Sequence, residues 1–206
     1  MQNSKDRPIL EATLECGEVI FDALVRDEIL TEIPIIGTAI KFCKAIDSIK
    51  ERAFATKLLR FSSEIDKLSN QTRQKIKEKI ASSPTEATRI GETLLLTLDR
   101  ITDLEKAQLL SYFFLAHIDS IITKSELRRF AQIIDASFYD DLKKFLETKD
   151  ISEKSEETWM QFLSQTGLTC AAAGKTWADS GRIYYEVTLL GNNFRCAYNH
   201  GRKMVY

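Results

Sequence analysis

Apolar side chains recur at three- and four-residue spacing through most of the first 147 residues of this chain, which is the spacing of one face of an α-helix. Proline and glycine, which interrupt helices, are scarce: the 206 residues include three prolines and eight glycines. These observations favour long helices and argue against an all-β sandwich. We therefore expect a mainly α fold: a helical hairpin, a helical bundle and a small C-terminal α+β module.

The N-terminal region predicts a helical hairpin. Residues 8–31 have an amphipathic pattern, and Pro34 suits the first turn of a longer helix that continues to about residue 68. A turn is expected between them, because the residue before a proline is disfavoured in helical conformation. Residues 1–40 carry three basic and eight acidic side chains, whereas residues 41–79 carry eleven basic and five acidic. This opposite charge would favour pairing of the two arms by roughly 0.2–1 kcal/mol per exposed ion pair.

The stretch IPIIGTAIKFCKAI, residues 33–46, is apolar until two lysines interrupt it. Its apolar part is about half as long as the ~20 residues that a membrane-spanning helix needs, so we do not expect it to cross a bilayer. Gly37 would permit close approach of the first arm. Two hypotheses remain: a buried arm of the hairpin, or a surface that meets a membrane or a protein on activation. The candidate surface residues are Ile35, Ile36, Ile40, Lys41, Phe42 and Lys44.

Four further helices are expected between residues 85 and 147, and two segments of this region resemble each other. LDRITDLEKAQLL (98–110) and IDSIITKSELRRF (118–130) both place an apolar residue, an aspartate and an isoleucine before a threonine, an acid and an apolar helix. On these segments, residues 85–147 resemble the helical TerB-like domains of tellurite resistance. The resemblance implies a metal-binding role for acidic residues, which here would be Asp99, Asp119 and Glu126.

The residues themselves do not predict a calcium loop around Glu126. If Glu126 were the twelfth position of an EF-hand loop, Leu115 and His117 would stand at positions 1 and 3, where oxygen ligands are needed. Ser120 would replace the required glycine at position 6. The alternative is a capping box, in which Thr123 caps the next helix and Glu126 returns a hydrogen bond. No bound metal or cofactor is expected.

The last fifty residues predict helix, strand, strand, helix over 156–165, 168–173, 183–188 and 189–198. This order, with the YYEVTLLG run at 184–191, resembles a degenerate winged helix. The helix that would read DNA, EETWMQFLSQ, has two glutamates and no lysine or arginine, which argues against DNA contact. Its apolar residues suit core packing or a protein partner. These residues are Trp159, Met160 and Phe162.

Catalytic signatures are weak. In CAAAGKTW (170–177), Thr169 occupies the place of the first glycine of a phosphate-binding loop. The four cysteines are scattered, which disfavours a zinc site and fits a reducing compartment. His117 is expected to be satisfied within an apolar helix, and His200, in the last seven residues, to be mobile. We do not expect an enzyme.

The sequence thus predicts three parts: a hairpin at 1–80, a TerB-like bundle at 81–148 and a winged-helix-like module at 149–206. The first hypothesis is a non-enzymatic adaptor or regulator of bacterial stress or phage defence, which binds a protein partner or a second copy. The alternatives are a membrane-acting effector that meets anionic lipid through its hairpin, and a DNA-binding regulator. The N-terminus lacks the apolar core of a signal peptide, so a cytoplasmic location is expected, with peripheral attachment to the inner membrane as a variant.

Overall fold

The computed structural model describes residues 22, 24–42, 49–148, 155–173 and 182–206. Within these ranges the chain is mainly helical, with a small two-stranded antiparallel sheet near the C-terminus. The predicted fold class, mainly α with a small α+β part, is therefore confirmed. Two compact units are formed, one up to Ser111 and one from Tyr112 to Met204. The three-part division proposed from the sequence stays a prediction.

The first unit is built from helices that follow one another closely along the chain. They are α1 (Glu28–Glu32), α2 (Pro34–Phe42), α3 (Ile49–Ile65), α4 (Asn70–Ser82), α5 (Pro84–Arg100) and the first part of α6 (Leu104–Ile118).

A break appears inside the first predicted helix, and a new helix begins just after the point where the second predicted helix was expected to end. Asp27 interrupts the predicted first helix because its Oδ1 accepts hydrogen bonds from the backbone N–H groups of Ile29 (3.0 Å) and Leu30 (2.9 Å), which starts α1 anew. Ser69 begins a new helix, α4, by accepting a hydrogen bond from the N–H of Thr72 (3.2 Å). At Asp27 a capping side chain therefore outweighed apolar spacing, whereas Ser69 directly follows the end of the apolar spacing at Leu68.

The apolar stretch at residues 33–46 is covered in the part that the structure describes. Helix α2 packs against α1 and α5, and Ile36 and Ile40 are buried. Gly37 fits closely against the backbone of Thr31, where a Cβ would have no room. The side chains of Ile35, Lys41 and Phe42, and the whole of Lys44, lie outside the described part of the chain.

In the described part of the first unit, the acidic and basic blocks of the sequence meet at an ion pair. Lys77 Nζ on α4 lies 2.7 Å from Glu28 Oε2 on α1, and this contact lowers the pKa of Glu28. Both side chains are partly exposed, so the pair orients α1 on α4 and adds little stability.

The second unit begins within α6 and contains the sheet. It continues through α7 (Lys124–Ala136), α8 (Tyr139–Glu147), α9 (Thr158–Ser164), β1 (Thr169–Ala173), β2 (Ile183–Val187) and α10 (Leu189–Val205). The strands pair antiparallel, with Thr169 opposite Val187 and Ala173 opposite Ile183. Thr188 caps α10 by accepting a hydrogen bond from the N–H of Gly191 (3.0 Å). The predicted turn at 178–181 lies outside the described residues.

The core of the second unit is an aromatic cluster centred on Phe194. Its ring centroid lies 4.4 Å from that of Phe113, 5.2 Å from that of Phe130 and 6.3 Å from that of Phe145. All four side chains are fully buried. This cluster joins α6, α7, α8 and α10 into one body.

The predicted capping box at the start of α7 is confirmed. Thr123 Oγ1 accepts from the N–H of Glu126 (3.2 Å), and Glu126 Oε2 accepts from the N–H of Thr123 (2.8 Å). Hydrogen bonds from the backbone and then the hydroxyl of Thr123 lower the pKa of Glu126. Because its pKa is lower folded than unfolded, Glu126 stabilises the fold above its ordinary pKa, and this contribution disappears as the pH falls through the lowered value.

Thr123→Ala is therefore expected to lower the free energy of unfolding by about 1 kcal/mol near neutral pH. The loss should shrink in acid, where Glu126 is protonated in the parent protein as well. Urea titrations at several pH values measure both effects. Ser125→Ala, an exposed hydroxyl in the same first turn with no capping role, is the matched control and should change the free energy of unfolding by less than about 0.5 kcal/mol. An equal loss in both variants would contradict the capping account.

Candidate functional site

A pocket of about 320 Å³ lies in the second unit, where the end of α7 and the start of α8 face α9. Its lining is apolar around a few polar groups. The lining residues are Ala136, Ser137, Phe138, Asp141, Phe162, Leu163, Gln165 and Thr166.

Phe138 reaches the pocket because of how α7 ends and α8 begins. Ser137 ends α7, with its N–H bound to the carbonyl oxygen of Ile133 (3.0 Å). Phe138 then stands at the N-cap of α8 in extended conformation and provides no side-chain cap. Serine, threonine, aspartate or asparagine is the usual residue at this position. The ring of Phe138 is instead left 65% exposed at the mouth of the pocket.

Phe162 supplies a second aromatic ring from α9. Trp159 and Met160 of the same helix are buried in the core, so core packing, one of the two alternatives expected for this trio, applies to them. Phe162 remains 55% exposed and lines the pocket together with the buried Leu163. Of the three candidate contact residues on this helix, Phe162 is therefore the one that a partner can reach.

Of the described residues that line the pocket, Asp141 is the one with an ionisable side chain. Burial raises the pKa of Asp141, Lys144 opposes this shift and Asp140 adds to it. Across the described residues Asp141 forms no hydrogen bond or ion pair. The hydroxyl oxygen of Ser137 is buried and, within the same described part, also lacks a hydrogen-bond partner. Two polar groups of the pocket are thus left for a ligand to satisfy.

Phe138→Ser is expected to raise the free energy of unfolding by about 0.5–1 kcal/mol, because serine at the N-cap would accept a hydrogen bond from the first turn of α8. Urea unfolding followed by tryptophan fluorescence measures this gain. Phe138→Ala removes the same ring without supplying a cap and is the matched control, for which no such gain is expected. A clear loss in Phe138→Ser would show that the ring supports the fold.

The three acidic residues that the TerB-like resemblance implies lie in separate surroundings. Glu126 forms the capping box. Asp119 Oδ2 lies 2.6 Å from Nε2 of His200. Asp99 is exposed near the end of α5, where its carbonyl oxygen accepts a hydrogen bond from the buried Lys57 (2.9 Å). Among the described residues, no group of three histidine, cysteine or acidic side chains is placed to hold a metal ion.

The two histidines have defined places. His117 is buried, with Nδ1 3.0 Å from the carbonyl oxygen of Ile122, as expected for a satisfied turn histidine. The expectation that His200 is mobile was wrong. The closing helix extends to Val205 rather than ending near residue 198, so His200 lies within α10 and contacts Asp119.

Sequence reasoning missed Phe138 and Asp141. In the sequence, two adjacent aspartates such as Asp140 and Asp141 are typical of surface charge, and Phe138 lies in a segment with helical spacing. The available signal was a large apolar residue directly before a helix, where a polar cap is the rule. The candidate phosphate loop can be followed only to Ala173 of β1, because residues 174–181 lie outside the described part.

No family model, curated protein or solved structure matches this chain. Across the helices of the described ranges, none combines the length and the apolar character required to cross a bilayer.

Proposed function

We propose that this protein is a non-enzymatic adaptor or regulator that binds a peptide segment of another protein at the Phe138–Phe162 pocket. The observation that carries the proposal is the pair of exposed phenylalanine rings on the rim of one pocket. Aromatic side chains are enriched at the centres of protein interfaces because they bury a large area at little cost in conformational entropy.

The pocket also has the composition of a recognition site. Its floor includes the buried Leu163, and its polar groups are few. A concave apolar surface with a small number of polar groups is typical of ligand and peptide sites. Phe138 stands at an N-cap, where its side chain cannot accept a hydrogen bond from the helix. The fold is therefore less stable than it would be with a serine at this position. A residue that weakens the fold and is exposed at a pocket suits a role in binding.

The same surface supports our interpretation of the C-terminal part. We propose that α9, β1, β2 and α10 form a degenerate winged helix that contacts protein instead of DNA. Helix α9, TWMQFLS, has no charged residue, so it offers no cation to a phosphate backbone. The setting that we propose remains the cytoplasm of a bacterial cell under stress or phage attack.

The test is co-purification of one stoichiometric partner from cells with three tagged forms: the parent chain, the double variant Phe138→Ser/Phe162→Ser, and Leu96→Ser. Leu96 is 63% exposed on α5 and serves as the matched control. We expect the parent and the control to retain the partner and the double variant to lose it. Retention by all three forms, with circular dichroism showing each to be folded, would overturn the proposal.

A further inference from the structure

We infer that the Phe138–Phe162 pocket selects an arginine side chain of its partner. The inference rests on the proposed function and names the chemistry that the site recognises. Its support is the combination of two aromatic rings, one carboxylate and an unsatisfied hydroxyl in a single pocket.

The charge of the pocket lining has one sign. Asp141 is the ionisable residue among the described residues that line the pocket, and these include no lysine, arginine or histidine. Lys144 is close enough to influence Asp141, but it is exposed and forms no ion pair with Asp141. A cationic group of a ligand would therefore meet an unpaired carboxylate, and hydrogen bonds between ionised groups are stronger than neutral ones.

The aromatic rings narrow the choice of cation. A planar guanidinium can stack on an aromatic face while its N–H groups form a fork to a carboxylate, whereas an ammonium group offers a point charge. Arg195 on α10 shows this use of a guanidinium within the same unit. Its Cζ lies 4.3 Å from the ring centroid of Phe145, and its Nε donates to the carbonyl oxygen of Phe145 (2.9 Å). The candidate pocket offers a ring and an oxygen acceptor of the same kinds to a guanidinium from outside.

The remaining acceptors also fit a donor-rich ligand. A guanidinium has five N–H donors and no acceptor. Ser137 and Gln165 can accept hydrogen bonds through side-chain oxygens, and Ser137 Oγ lacks a partner in the described part of the molecule. The hydroxyl of Thr166 is already donated to the carbonyl oxygen of Leu163 (2.9 Å). An arginine would thus find several acceptors beside the carboxylate.

The experiment is a ¹H–¹⁵N correlation titration of the full chain with N-acetyl-arginine methylamide in the millimolar range, where single side chains bind. The citrulline counterpart, which has the same shape without the charge, is the matched probe. We expect the arginine probe to shift the amide signals of 136–141 and 162–166 in a saturable manner, and the citrulline probe to bind at least about tenfold more weakly. Equal shifts from both probes, or no saturable shift at these residues, would overturn the inference.

Two variants separate the effect of the Asp141 charge in the pocket from the effect of removing any nearby negative charge. Asp141→Asn should weaken binding of the arginine probe by about tenfold or more, whereas Asp140→Asn, the neighbouring exposed carboxylate, should change it less than about twofold. Equal effects of the two variants would also overturn the inference. Failure of this inference is distinct from failure of the proposed function. If the partner is lost in Phe138→Ser/Phe162→Ser but retained in Asp141→Asn, the pocket binds the partner but does not select an arginine side chain.

Discussion

Phe194→Ala is expected to lower the free energy of unfolding of the second unit by about 3–5 kcal/mol, the range for removal of a buried phenylalanine. Phe194 is fully buried, and its ring contacts those of Phe113 and Phe130 from two other helices. Truncation removes apolar contact area and leaves a cavity that four packed helices cannot close. Since domains are stable by only about 5–15 kcal/mol, this loss is a large fraction of the total.

Urea unfolding followed by tryptophan fluorescence measures this loss. Trp159, one of the two tryptophans of the chain, is buried in the second unit, so its fluorescence reports on that unit. Phe162→Ala is the matched control, because it removes the same ring from an exposed position and should cost less than about 0.5 kcal/mol. Similar losses in the two variants would mean that the aromatic cluster is not the core of this unit.

Gly201→Ala is expected to lower the same free energy by about 3 kcal/mol, although alanine is the better helix former. A Cβ at position 201 would lie within 3 Å of backbone atoms of Tyr112, including its carbonyl oxygen. Backbone cannot rotate away as a flexible side chain can, so α10 would have to move from α6. Helix propensity alone predicts the opposite sign, a gain of up to about 1 kcal/mol.

Asn199→Ala is the control for Gly201→Ala, because Asn199 is exposed on the same helix and takes no part in the contact between Gly201 and Tyr112. It should raise the free energy of unfolding by a few tenths of a kcal/mol through propensity alone. A gain in both variants, measured by the same urea titration, would show that α6 and α10 are not in close backbone contact at Gly201.

Much of the fold follows from local patterns. The capping box of Thr123 and Glu126 follows from residues three apart, and the strands of the sheet follow from short runs between turn residues. The break at Asp27 was missed because apolar spacing continues past it to Ile29, whereas the capping side chain of Asp27 determined where the helix restarted.

The candidate site was less predictable because it depends on contacts distant in sequence. Phe162 was identified as a contact residue, but its pocket also requires Phe138 and Asp141, which lie more than 20 positions earlier. Periodicity assigns a residue to a helix face and cannot say which other helix meets that face. The burial of Trp159 and Met160 likewise depends on packing with α8 and the sheet.

The most direct measurement of the central claim is site-specific photo-cross-linking in cells. A photoreactive phenylalanine analogue is placed at Phe138, at Phe162 or, as the control, at Leu96. The proposed function predicts that the analogue at Phe138 and at Phe162 attaches to the same protein and that the analogue at Leu96 does not. Adducts to that protein at Leu96 equal to those at both phenylalanines, or no adduct at either phenylalanine, would contradict the claim that this pocket binds the partner.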